Sequence, residues 1–167
     1  RSVLIKEGSA GMSYALYSSD AGSRPSGWIR RTSDIDATGT SAIAANTWVH
    51  LAATYNGSTL TLYVNGVQAS TRAITGAIST SNLPLRIGGN APWGEYFAGR
   101  IDEVRIYNRA LSASEIQTDM TTPVGAAGPA PAPDFAVSIA PASRTITQGG
   151  VATYTVDRLD ELPALLQ

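Results

Sequence analysis

Asp102 and Glu103 stand side by side inside FAGRIDEVRIY, a passage that reads as a β-strand. Neighbouring carboxylates are the natural starting material for acid–base chemistry. Successive strand residues, however, point to opposite faces. The pair therefore cannot flank a glycosidic bond at the roughly 5 Å that a retaining hydrolase requires. Asp34 and Asp36 do alternate, but they lie in a polar segment that reads as a turn, with no third acid beside them. Asp102 shares its face with Val104 and Ile106, which places it at the edge of a core. A carboxylate there needs hydrogen bonds, a cation or a metal. One reading is an ion pair or backbone cap. The other is a structural calcium ligand, one of the six to eight oxygens that Ca²⁺ takes. Glu103 and Arg105 share the opposite face, two positions apart.

His50 is the only histidine, and the chain has no cysteine. A zinc site or a Ser-His-Asp triad would need unusual partners, so His50 reads as a surface or sheet-packing residue. Gly88-Gly89 and GSAG at 8–11 lack the text that follows in phosphate-binding loops and read as turns. The loop GGNAPWGEYF is more promising, because it gathers Asn90, Trp93, Glu95 and Tyr96. Aromatic rings pack on the apolar faces of sugars, and polar groups fix hydroxyl directions. These four are the ligand-contact candidates. The competing reading has Trp93 and Tyr96 packed as a flap over one end of the fold. Trp28 and Trp48 fall in strand text and read as core or sheet-face residues.

Short strands must position these groups. VLIKE, SYALYS and GWIRR are candidates, separated by polar turns. The clearest passage is TWVHLAATYNGSTLTLYVNGVQASTRA. Val49, Leu51, Ala53 and Tyr55 alternate, as do Leu60, Leu62 and Val64, which is the period of half-buried strands. Asn56-Gly57 and Asn65-Gly66 mark the hairpin turns, and the result is a three-stranded meander. LPLRIGG and FAGRIDEVRIY add two more strands. Ser112 and Glu115 then form a capping box that opens a short helix over 113–119, stopped by Pro123.

Residues 121–134 are Pro/Ala/Gly-rich and read as a semi-rigid linker. Strand alternation resumes after it, around Gly149-Gly150. The pattern breaks at Asp157, and the tail DRLDELPALLQ has leucines nearer to helical spacing. The organisation is thus 1–120 as one all-β domain, 121–134 as linker and 135–167 as a partial second β module.

A net charge of -1 gives no basis for a nucleic-acid partner. No apolar run approaches the roughly 20 residues of a membrane span. The absence of cysteine excludes disulfides and thiolate metal sites, which suits cytosolic and bacterial surface proteins alike.

TWVHLAATYNGSTLTLYVNG, LRIGGN and FAGRIDEVRIYNRALSASEI together resemble the LamG-like jelly-roll domains of the concanavalin A-like lectin/glucanase superfamily, from about Val3 to Met120. The resemblance implies an antiparallel jelly-roll β-sandwich. It also implies a module of a larger secreted or cell-surface bacterial protein, binding glycans or surface proteins, with structural calcium in some members. Enzymes of the superfamily carry carboxylates in a pattern like E-x-D-x-x-E, which this chain lacks, so a non-catalytic binder is expected. Domains of the family open with further strands, one of which pairs with the IDEVRIY strand. No such text precedes Val3. The expectation is therefore an N-terminally incomplete sandwich that self-associates through exposed strand edges, unless another segment covers that edge. SIAPASRTITQGGVATYTV resembles the opening of bacterial Ig-like modules.

The reading is a glycan-recognising module, with a structural spacer or protein–protein adhesion unit as the alternative.

Overall fold

The computed structural model describes residues 1–125 and the backbone of residues 152–161. Its strands are β1 (Ser2–Gly8), β2 (Gly11–Tyr17), β3 (Ser26–Arg30), β4 (Asp34–Thr38), β5 (Leu51–Tyr55), β6 (Thr59–Val64), β7 (Val67–Ala73), β8 (Leu85–Ile87), β9 (Gly99–Tyr107) and β10 (Ala152–Glu161), with helix α1 (Ala113–Thr121) between the last two. They form two five-stranded sheets, ordered β4-β3-β2-β1-β8 and β7-β6-β5-β10-β9, and every pairing is antiparallel. This is the expected jelly-roll β-sandwich.

The inward positions follow the alternation in the sequence. Val3, Leu4, Tyr14, Leu16 and Ile29 of the first sheet meet Leu51, Ala53, Tyr55, Leu60, Leu62 and Ile106 of the second, all buried. The sheets approach closely at Gly27, where a Cβ would lie 2.7 Å from that of Ala53.

The meander β5-β6-β7 turns where the two Asn-Gly pairs stand, by different means. At Asn65-Gly66 both residues have positive φ, 51° and 73°, the requirement of a tight hairpin turn. At Asn56-Gly57 only Gly57 does. There the Asn56 side chain closes the turn by accepting from the amides of Ser58 (3.0 Å) and Thr59 (2.8 Å).

The capping box of α1 is complete. The Ser112 hydroxyl accepts from the Glu115 amide at 3.3 Å, and the Glu115 carboxylate from the Ser112 amide at 2.8 Å. Arg109 adds an ion pair to Glu115 at 2.7 Å. The helix runs to Thr121, two residues beyond the expected 113–119, and so takes in the first residue assigned to the linker. Ile116 and Leu111 pack with Ala52, Tyr63 and Tyr107, so α1 covers the outer face of the second sheet. Buried Arg105 ties the helix end to β9. It donates to the Asp119 carbonyl at 2.8 Å and pairs with the Asp119 and Glu103 carboxylates at 3.3 and 3.0 Å.

Three expectations are corrected here. Residues 34–38 form a strand rather than a turn. The strand after the linker does not stop at Asp157 but continues to Glu161. It also joins this sandwich, lying between β5 and β9, so on that side the IDEVRIY strand is covered. The rest of the expected linker, the Gly149-Gly150 turn and the leucine-rich end fall on residues 126–151 and 162–167, outside the described residues.

Candidate functional site

The loop from Gly88 to Ala98 folds against the first sheet, held by its own side chains. Its base is closed by the amide of Phe97 on the carbonyl of Gly88 (3.0 Å) and that of Asn90 on Glu95 (3.0 Å). The Asn90 side chain is buried. It donates to the Glu95 carboxylate at 2.8 Å and accepts from the Trp93 amide at 2.9 Å. Buried Glu7 of β1 accepts from the Ala91 amide (3.0 Å) and from Arg86 of β8 (2.7 Å). The phenol of Tyr17 hydrogen-bonds to Glu95; burial first, then the charge of Glu95, pushes its pKa up.

The four candidates therefore divide. Asn90 and Glu95 spend their polar atoms inside the molecule and set the shape of the loop. Trp93 and Tyr96 face solvent, 47% and 64% exposed. Their rings sit against glycines: a Cβ on Gly11 would meet the Trp93 ring at 2.5 Å, and one on Gly89 the Tyr96 ring at 2.6 Å. Each ring thus rests on backbone and keeps surface available to a ligand.

Beside this loop lies the outer face of the first sheet. Ile5, Met12, Ala15 and Tyr17 bury together there, with Trp28 packed at their margin. The register aligns Arg86, Ile5, Ala15, Trp28 and Asp36 in one row across all five strands. Alternation puts Ser26 and Arg30 on the face of Trp28, and Asp34 and Thr38 on that of Asp36. The Trp28 indole donates to Asp20 (2.7 Å) and Ser26 (2.8 Å), Thr38 to Asp36 (2.7 Å), and Arg30 to Asp34 (2.6 Å). Trp28 is thus a sheet-face residue, as read. Tyr17, Asp20 and the Asp34/Asp36 pair were missed as members of a face. The signal was present, because S-x-W-x-R at 26–30 and D-x-D-x-T at 34–38 both carry period two.

Asp102 stands elsewhere, on β9. It is exposed, not at the core edge, and its carboxylate accepts from the Glu103 amide at 2.9 Å. Glu103 has a φ of 53°, which interrupts the alternation that the strand reading assumed. Glu103 pairs with Arg105, whose side chain is buried rather than on the surface. Among the described residues no group of three or more His, Asp or Glu side chains could hold a metal ion. Trp48 is 38% exposed and lies outside the strands. His50 is buried, 3% exposed. Its pKa is lowered to about 4, by desolvation first and then by the charge of Arg105.

A two-sheet antiparallel sandwich, with a helix packed on one outer face and a loop over part of the other, describes a jelly-roll domain. The chain belongs to the laminin G family of the concanavalin A-like lectin/glucanases superfamily, whose family model matches residues 1–117. Pappalysin-1 of Mus musculus is 38% identical over 80 residues, and that of Homo sapiens 35%. Each alignment covers 45% of this chain and 5% of the relative, so the chain matches a small part of those proteins. No solved structure gives a significant match.

Proposed function

We propose that the chain is a non-catalytic binding module that recognises a glycan with the outer face of its first sheet and the loop at 88–98. One observation carries the reading: Trp93 and Tyr96 are exposed, yet their rings are seated on glycine backbone, in a loop whose polar side chains are spent on holding it. Rings fixed in advance lose little freedom when a ligand stacks on them. Trp28, Arg30, Asp34 and Asp36 supply polar groups on the same face. The Asp34 and Asp36 carboxylates are oriented by Arg30 and Thr38 and keep lone pairs for ligand hydroxyls.

Family membership supports a place in a larger secreted or cell-surface protein. No helix among the described residues is long and apolar enough to cross a membrane. The partner on this reading is a glycan or a glycosylated surface protein, not nucleic acid. Single modules of this kind bind weakly, and tandem copies gain through effective concentration.

A glycan array probed with the full chain tests this. Trp93→Ala should weaken any hit at least about tenfold, some 1.4 kcal/mol, while Trp93→Phe retains most of it. Silence across the array, or a hit indifferent to Trp93→Ala, would move the assignment to a spacer or protein–protein adhesion unit.

A further inference from the structure

The second sheet is closed by a strand that arrives late and from far along the chain. β10 occupies an interior position, with five residues in register on β5 and the stretch from Thr153 to Glu161 in register on β9. Its neighbour β5 is buried at every residue. Without β10, the backbone donors and acceptors along that side of β5 would be left facing nothing, which is costly for a buried strand. Among the described residues β9 has no other strand partner in the sheet and would lose this one. The slot between them therefore demands an extended segment.

Thr122 and Val124 are held on β9 by Arg105 and Glu103, and 26 residues lie between Gly125 and Ala152. At up to about 3.3–3.6 Å per residue such a stretch can reach roughly 90 Å, well beyond one small domain. The backbone bonds that β10 makes would be the same whichever copy donated it, so its own chain wins only by effective concentration. We infer that the β5–β9 slot is a strand-acceptor site, and that residues 152–161 of a second copy of this chain can fill it in a reciprocal, two-fold exchange. Such a closed swap is the low-cost route to a dimer. It needs no new surface, and it differs from association through the outer sheet edges.

The absence of native cysteine allows a clean trap. Thr54 and Thr153 are register partners. Two full-length chains with tags of different mass, one carrying Thr54→Cys and the other Thr153→Cys, are refolded together from urea at high concentration and oxidised. Exchange predicts a disulfide-linked heterodimer on a non-reducing gel. Its yield should fall on dilution and exceed severalfold that of the off-register pair Thr54→Cys with Val156→Cys. Ala52→Cys with Thr155→Cys, also register partners, repeats the test should the first pair disturb folding. Equal yields for in-register and off-register pairs, or no heterodimer from either in-register pair, would overturn the inference.

Discussion

His50 should make this domain acid-sensitive in a narrow and calculable window. The imidazole is 3% exposed, and its pKa lies at about 4 rather than 6.5. Burial is the main cause, and the Arg105 guanidinium adds to it. The folded-state value is below the unfolded one, so the native state favours the neutral ring. As pH falls through 6.5 the unfolded chain takes up a proton that the native state refuses until about pH 4. Stability is thus full above 6.5 and is lost on the way down. From linkage, the loss is about 1.4 kcal/mol at pH 5.5 and about 3 kcal/mol at pH 4. Against a domain stability on the order of 5–15 kcal/mol, that is a large share from one side chain.

Urea unfolding of the full chain at half-unit steps from pH 7 to pH 4 measures this, with His50→Gln as the comparison. Carboxylates begin to titrate at the bottom of the window, so the informative quantity is the difference in slope between the two proteins. Wild type should lose the amounts above in excess of the variant. If His50→Gln has the same slope as wild type between pH 6.5 and 4.5, the buried neutral imidazole is not the cause.

Ser112→Ala removes the hydroxyl that caps α1 and should cost about 1 kcal/mol, seen as a lower urea midpoint with an unchanged slope; no change would mean that the Arg109–Glu115 pair alone holds the helix start. A chelator should leave the melting temperature where it is, because among the described residues no second and third acidic or histidine side chain gathers with Asp102; a clear drop would show that calcium binds.

Local pattern made much of this fold legible. Alternation around the Asn-Gly pairs specified the meander, because each hairpin is closed by residues adjacent in sequence. Ser112 and Glu115 gave the helix start for the same reason. Its end was set too early: Pro123 restricts the residue before it, and the helix fits two more residues ahead of that. Non-local choices were not legible. Nothing in the text of 152–161 says which sheet it joins, since register with β5 and β9 is decided across long loops. Asp34 and Asp36 looked like a turn because a strand whose outer positions are acidic carries no apolar stripe on that side. Asp102 was misplaced by one residue's backbone, for the positive φ of Glu103 breaks a rule that holds elsewhere along β9. Trp93 and Tyr96 were found from their type, but that Asn90 and Glu95 would be consumed in holding the loop required coordinates.

The two outer faces of the sandwich are treated differently, and that difference bears on function. On the second sheet, Ala52, Tyr63 and Tyr107 are closed over by Leu111 and Ile116, and Arg105 fastens the lid through Asp119. That face is finished. On the first sheet no helix among the described residues does the same. A loop covers part of the apolar floor, and beside it a tryptophan, an arginine and two aspartates stay in line on regular strands. On the proposed binding reading, aromatic side chains exposed on a rigid support are the stacking surface. If the module were only a spacer, Trp93 and Tyr96 could be replaced together by serine with no loss beyond stability. On the binding reading the same change removes the stacking surface and leaves the sandwich beneath it standing.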